Sequence, residues 1–355
     1  MNKPVICFFN SSKTWGGGEK WHFETAMAFR EFSEPMIISN HKSELILRAK
    51  AVGIKTISLK VSNLSFVNPF RRSQVKRIFD AIKPDAVVLN LPSDLKLAAP
   101  VAKKCGVPKV IYRRGSAIPI KPNSINRKIF ADYVDLVIAN SQETKRTILN
   151  VGDVISPEKI KVVYNWIDTE SIRPNKGRNE IFTIGNAGRL CKQKNQTALI
   201  DLAKKLKLSG FKFIIKIAGD GPLKSELHNK IISEGLESEV RLIGFVEDMN
   251  EFYNSLDLFI LTSTWEGFGY VLAESMLAET AVIAFDISSN PELTIDDLNG
   301  YLVPYNNIDL LAEKVITLSN DRDKLNALGK NGRNFVMDNF SKYRIIPVLK
   351  SLILP

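Results

Sequence analysis

One alternation limits this chain more than anything else in it. Short β-branched or apolar runs are separated by stretches with helical apolar spacing, and the pattern occurs twice. The first set of runs is VICFFN (5–10), PMIIS (35–39), KTISLK (55–60), AVVLNL (86–91), KVIYRR (109–114), LVIAN (136–140) and KVVYN (161–165). Between them lie segments such as EKWHFETAMAFREF (19–32) and RRSQVKRIFDAIK (71–83), with apolar residues at helical spacing. Strands that are apolar on both faces need helices over both faces, which is the pattern of a parallel sheet. A polar stretch with Pro and Gly, DTESIRPNKGRNE (168–180), then interrupts as a linker does. The alternation restarts with IFTIGNAG (181–188), FKFIIKIAG (211–219), VRLIGF (240–245), LDLFILTS (256–263), TAVIAF (280–285) and GYLVP (300–304), and about the last 45 residues read as helix. A length of 355 residues suits two domains of about 150–200 each better than one core. The expected fold is α/β, two doubly wound Rossmann-like domains in tandem.

Open parallel sheets bind ligands beyond the carboxyl ends of their strands, so chemistry is expected on the strand-to-helix turns. Two such domains facing each other would frame a central cleft. After the first strand, Gly16, Gly17 and Gly18 open a helix. Amides there can approach a phosphate or sugar with no Cβ in the way, and the helix N-terminus favours an anion. The spacing fits neither GxGxxG nor GxxxxGK[ST], which weighs against nicotinamide and P-loop sites. A plain flexible loop is the competing reading. Glu19 reads as a first-turn helix acid, and Lys20, Trp21 and His22 as helix surface.

The second set of turns is richer. In GNAGRLCKQKN, Gly188 precedes Arg189, a fork, and Lys194, a point charge at the mouth of the next helix. Together they could clamp a diphosphate and stabilise it as it leaves. In KIAGDGPL, Gly219 is a candidate ligand contact, although Pro222 at helix position N1 and a glycine turn are adequate structural reasons. The turn in RLIGFVEDM offers the backbone of Phe245 and Val246 to a nucleobase. The densest signal is STWEGFGYVLAES. Glu266 falls in the loop after a buried strand, and Gly267, Phe268 and Gly269 present amides to phosphate or sugar. A helix from about Tyr270 then carries Glu274 one turn in. A carboxylate takes two O–H donors, so Glu274 suits paired ribose hydroxyls and Glu266 the hydroxyls of a sugar ring.

A net charge of +11 sharpens this when it is divided. Residues 1–172 hold 27 Lys and Arg against 15 Asp and Glu, while residues 173–355 hold 22 against 23. The first half is expected to face something anionic, such as phosphates, an acidic glycan or a membrane surface. No nucleic-acid recognition motif accompanies the charge, so nucleic acid is not an expected partner. The three scattered cysteines form no framework and suit a reducing compartment. Nothing argues for a metal: there are three histidines, His228 reads as surface, and Asp321-Arg322-Asp323 is better explained as a helix cap. No signal-peptide core and no span of about 18 apolar residues is present, so the expected setting is cytoplasmic, at most peripheral on a membrane.

These residues together resemble the GT-B-fold retaining glycosyltransferases of the large GT4 group, over essentially the whole chain. The carriers are Gly-Gly-Gly-Glu after the first strand, NSQETKRTI, VVYNWID, GNAGRLCKQKN, AGDGPL, GFVEDM, and Glu266 with Glu274. The resemblance implies an acceptor-binding domain at 1–172 joined by a returning helix at about 340–355, and a donor-binding domain at 173–339. It also implies that Arg189 and Lys194 bind the donor diphosphate, Glu266 the donor sugar and Glu274 the ribose. The catalytic set carried over is Arg189, Lys194 and Glu266, with no cofactor and no metal. Two departures stand out: Asn165-Trp166 where many members have Asn-Gly, and YRRG at 112–115 where many have a histidine. No first-domain catalytic residue therefore carries over, and Arg113 and Arg114 stand open for another substrate role.

The implied reaction is hexosyl transfer from a UDP- or GDP-sugar to a glycan or lipid-linked acceptor in cell-surface glycan synthesis. The basic segment 68–83, with Phe70, Val75, Ile78, Phe79 and Ile82, suits an anionic membrane, or else packs as an ordinary amphipathic helix on its sheet. Two alternatives stay open, a nucleotide-sugar epimerase on the same fold and a non-catalytic nucleotide-sugar or glycan-binding protein.

Overall fold

Each apolar run of the sequence becomes a strand. The computed structural model describes residues 3–175, 177 and 179–355; Met1, Asn2 and, in the predicted linker, Lys176 and Arg178 lie outside the described residues. The first sheet holds β1 (Val5–Phe9), β2 (Glu34–Ser39), β3 (Lys55–Ser58), β4 (Ala86–Leu89), β5 (Lys109–Arg114), β6 (Leu136–Ala139) and β7 (Ile160–Val162), in spatial order β3-β2-β1-β4-β5-β6-β7. The second holds β8 (Phe182–Ala187), β9 (Phe213–Ala218), β10 (Val240–Gly244), β11 (Leu258–Leu261), β12 (Ala281–Phe285) and β13 (Tyr301–Val303), ordered β10-β9-β8-β11-β12-β13. Neighbours pair in parallel, as where Cys7 faces Val87 and Leu258 faces Ile184. The chain divides into two compact units, one of Met1–Trp166 with Tyr343–Pro355 and one of Ile167–Lys342.

Period-two geometry explains why both faces need cover. In β1, Ile6 and Phe8 join a cluster with Trp21, Phe29, Ile345, Leu349 and Ile353, while Cys7 and Phe9 join a second with Val75, Phe79 and Leu95. The first cluster is roofed by helices Gly17–Phe29 and Lys342–Ile353, the second by Pro69–Ile82 and Pro92–Lys104. The second unit repeats the device on one face, with Ile184, Ile215, Ile217, Leu258, Ile260 and Ile283 packed under helices Thr197–Leu208 and Ile308–Asn320.

Two local expectations are corrected, and one open alternative, the packed stripe of segment 68–83, is the one found. Trp21 and His22 are not helix surface: Gly17–Phe29 buries both, with Thr25, Ala26 and Phe29 on the same side, against β1. Pro222 is not at helix position N1, because Asp220 Oδ1 accepts from Gly221 N at 2.7 Å and holds a turn, and the helix begins only at Lys224. The apolar stripe of Pro69–Ile82 faces inward, with Val75 and Phe79 buried and Ile78 and Ile82 packed beside them; only Phe70 is left out, 82% exposed. Asp321 does cap a helix, accepting from Lys324 N at 2.9 Å.

Candidate active site

Both sheets reverse their winding once, and at such a switch point the loops diverge and leave a crevice. In the second unit the reversal lies between β8 and β11. The loop leaving β8 carries Gly188, Arg189 and Lys194, and the loop leaving β11 carries Ser263 and Glu266. These two loops are sewn together. Thr264 N donates to Gln193 O at 2.7 Å, Gln193 Nε2 to Trp265 O at 3.0 Å, and Thr262 Oγ1 to Lys194 O at 3.0 Å.

At the centre is an ion pair. Lys194 Nζ lies 2.5 Å from Glu266 Oε1, which also accepts from Ser263 Oγ at 2.6 Å. The two side chains are only 17% and 9% exposed, so the pair is weakly screened. Glu266 is held at its backbone too: Ser288 Oγ and Ser289 Oγ both donate to its carbonyl, at 2.7 and 3.2 Å. The lysine sits in a 3-10 turn, Lys192–Lys194, and Asn195 and Gln196 separate it from the helix Thr197–Leu208. Arg189 projects from the same loop and is exposed, while its carbonyl accepts from Gln196 Nε2 at 3.1 Å. A half-buried cation and an exposed one on one loop can meet two negative charges in succession.

Glu274 stands on helix Tyr270–Leu277, started by Gly269 at φ +91°. Its Oε2 accepts from Tyr253 OH at 2.9 Å, and burial together with that carboxylate holds the Tyr253 phenol well above its usual range. Tyr253 therefore stays a donor that fixes the carboxylate. Gly267 is buried beside Glu266, and Phe268 is spent on the core, edge-on to Phe340 and to Tyr270 at 5.3 and 5.5 Å. Gly219 ends β9 so close to Gly188 that their backbones touch. Phe245 and Val246 follow the edge strand β10, two strands from β8, with Phe245 75% exposed. Ser288, Ser289 and Tyr253 lie outside every motif singled out, whereas Gln193, next to Lys194, and Ser263, three residues before Glu266, stand inside them and could have been suspected.

The first unit has its own switch point, between β1 and β4. Gly16 and Gly17 are exposed there at the start of the helix, and Gly18 lies against Asn90, where a Cβ would meet Nδ2 at 2.9 Å. Ser11 Oγ and N both donate to Asp94, Asn10 Nδ2 donates to Glu19 at 3.0 Å, and Glu19 is buried. Burial pushes the Asp94 carboxyl up to about 7 against these bonds. Arg113, at the end of β5, is buried: it donates to Asn165 Oδ1 at 2.8 Å and lies over the Trp21 ring. Trp166, the departure noted above, fills the first core, with Nε1 donating to Thr25 Oγ1 at 3.3 Å. Arg114 turns away, donating to Ile118 O at 2.5 Å.

His22 gives a pH test of this packing. Burial and then the Arg113 charge lower its pKa from 6.5 to about 3, while Nδ1 donates to Gly18 O at 3.0 Å. Between those values the unfolded chain binds the extra proton, so this contribution is complete above about 6.5 and is lost as pH falls toward 3. Asp94 acts in the opposite sense between 3.8 and about 7, so a substitution is needed to separate them. His22→Asn, which keeps a donor toward Gly18, should show a smaller fall in Tm between neutral and mildly acid pH than the unaltered chain; parallel Tm curves would refute the assignment.

Two tandem Rossmann-like units with charged strand-end loops match the GT-B architecture. The family model for glycosyl transferases group 1 matches residues 168–335, and that for glycosyltransferase family 4 matches residues 15–171. The chain belongs to this GT4-type family and is a glycosyltransferase. It is 31% identical, over 74% of its own length and 74% of the relative's, to the N-acetylgalactosamine-N,N'-diacetylbacillosaminyl-diphospho-undecaprenol 4-alpha-N-acetylgalactosaminyltransferase of Campylobacter jejuni. Over 56% of its length and 54% of the other's it is 27% identical to the UDP-Gal:alpha-D-GlcNAc-diphosphoundecaprenol alpha-1,3-galactosyltransferase of Escherichia coli. The crystal structure of Anabaena HepE with UDP and glucose shares the fold, with a TM-score of 0.85, 22% identity and 98% of each chain covered.

Proposed function

We propose that the chain moves a hexosyl group from a UDP-sugar to a hydroxyl of a lipid-linked glycan during cell-surface polysaccharide synthesis, with retention and without a metal ion. The observation that carries this is the Lys194–Glu266 pair at the switch point of the second unit, with Arg189 on the same loop. In this reading residues 173–339 bind the donor, and 1–172 with about 340–355 bind the acceptor. The bond from the sugar C1 to the β-phosphate oxygen breaks, and the acceptor oxygen bonds C1 on the same face. Its proton passes to the departing diphosphate. Arg189 and Lys194 take up the negative charge that grows on that diphosphate, which is the work a divalent ion does elsewhere. Amides at Gly267 and Gly269 assist, Glu266 accepts from sugar hydroxyls and Glu274 from the ribose. The backbone at Phe245 and Val246 meets the base, Gly188 and Gly219 leave room for the phosphates, and Gly16–Gly18 face the acceptor side. The relatives from C. jejuni and E. coli support a lipid-linked acceptor, since the substrates in their names are diphospho-undecaprenols.

Calorimetric titration with UDP, GDP, ADP and CMP in EDTA tests the donor half of this. UDP should bind in preference to the others, and Glu274→Ala should weaken it by about tenfold or more, the value of one or two hydrogen bonds to a charged group. Equal affinity in the variant would remove Glu274 from the site, and failure of every nucleotide to bind in EDTA would remove the metal-free reading.

A further inference from the structure

In the first unit, large apolar side chains are exposed in one short elbow. Leu64 is 70% exposed, Val67 62% and Phe70 82%. They recur at three-residue spacing through the 3-10 turn Ser65–Val67 and into the first turn of helix Pro69–Ile82. Side chains three apart in a 3-10 turn eclipse, which puts Leu64 and Val67 on one side. The turn beneath them is fixed. Val67 N donates to Leu64 O at 3.2 Å, Ser65 is buried with Ser62 N donating to its Oγ at 2.8 Å, and Asn68 accepts from Phe70 N at 2.9 Å to cap the helix. Phe66 is the one aromatic of the elbow that turns in, packing on the core with Lys96 over its ring.

The charge around this elbow is one-sided. From Leu45 to Phe79 the chain has no Asp or Glu and has eight Lys and Arg, of which Arg48, Lys55 and Lys76 pair with Glu44, Glu34 and Asp80 while Arg71 and Arg72 beside the elbow meet no carboxylate among the ion pairs described. Arg71 and Arg72 adjoin Phe70 directly; Arg72 is exposed and Arg71 half-buried. Rigid apolar tips set in an unbroken basic stretch fit one kind of surface, an apolar layer topped with anions. A second copy of this chain fits poorly, because it would set one basic stretch against another, and three side chains fall well short of the roughly 800 Å² per partner of a standard interface. We propose that Leu64, Val67 and Phe70 insert into the interfacial layer of an anionic phospholipid membrane, with Arg71 and Arg72 against its headgroups. This moves the membrane contact away from the helix stripe, which is buried, to the elbow that precedes it.

The inference deepens the lipid-linked acceptor reading above by giving the chain a way to reach that acceptor. Its test contains neither donor nor acceptor, so the two readings fail separately. The full chain is sedimented with vesicles of phosphatidylcholine alone or mixed equally with phosphatidylglycerol. Binding is expected only to the mixed vesicles, weakening as salt rises. Leu64→Ala with Phe70→Ala should lower it at least about tenfold, and Arg71→Gln with Arg72→Gln about fivefold for each residue. All four positions lie off the buried core, so melting curves should match the parent chain. Leu208→Ala, at an 81% exposed leucine of the other unit, should change nothing. No binding to mixed vesicles at low salt would overturn the proposal, as would binding indifferent to Leu64 and Phe70. A dimer abolished by those two substitutions, in a chain that ignores vesicles, would assign the elbow to a second copy and overturn it equally.

Discussion

Lys194→Ala should slow sugar transfer by about 10²–10³-fold in kcat, the range seen when one preorganised donor to a developing anion is removed. The lysine is held in place: its turn is bonded to the β11 loop at three points, and its ammonium rests on Glu266. The same substitution strips a largely buried carboxylate of its counter-charge, a loss of about 3 kcal/mol in folding stability by the behaviour of buried ion pairs. The two effects separate in the double variant Lys194→Ala/Glu266→Gln, where the orphan charge is gone. Stability should largely return, while the rate stays low. Initial rates of UDP release below the melting transition, beside scanning calorimetry, measure both. A Lys194→Ala enzyme within about threefold of the unaltered rate would remove the lysine from diphosphate stabilisation.

Gly219→Ala should be among the most damaging single-methyl additions the second unit can receive. Its φ of +128° is strained for any side chain, and the added Cβ would lie 2.0 Å from the carbonyl oxygen of Gly188, a backbone atom that cannot swing aside. Gly188 N in turn donates to Ala218 O at 3.0 Å, so a shift at one loop drags the other. We expect a loss of about 3 kcal/mol, or roughly 6–12 °C in Tm, together with weaker UDP binding. Gly210→Ala supplies the contrast. Gly210 has φ +75° with nothing near its missing Cβ, so only the left-handed backbone term applies, about 1 kcal/mol. Equal melting losses at the two positions would mean that the β8 and β9 loops do not depend on their close approach.

The sheets were legible because parallel strands are apolar on both faces: AVVL at β4 is buried at every position, as an interior strand between two helical layers must be. The turn residues of the second unit were legible for a related reason, since charged residues directly after such strands have few places to go but the carboxyl edge. Partners distant in sequence were not. Ser288 reaches Glu266 across 22 residues and Tyr253 reaches Glu274 across 21, and no spacing rule links a serine or tyrosine to a carboxylate that far away. Trp21 and His22 were misread because KWHFET has polar residues on both sides of its stripe, and a buried neutral histidine looks like any other in sequence. For Phe70 the sequence left both a membrane and a packed stripe open, and helix geometry decides: five residues before Val75 and nine before Phe79, it points about 140–180° away from the buried stripe.

The last helix, Lys342–Ile353, packs Ile345, Leu349 and Ile353 into the first unit, and Lys109 Nζ holds Leu354 O at 2.7 Å. During synthesis the whole second unit is made between Trp166 and this helix. At about 5–20 residues per second, its residues Ile167–Lys342 take roughly 9–35 s to translate. For all that time the nascent first unit lacks one of its walls, with Ile6, Phe8 and Trp21 short of the side chains that will cover them. The second unit, one unbroken segment, has everything it needs first. The unit that is made first is thus the one completed last, and until Lys342–Ile353 follows, its nascent form leaves apolar surface uncovered.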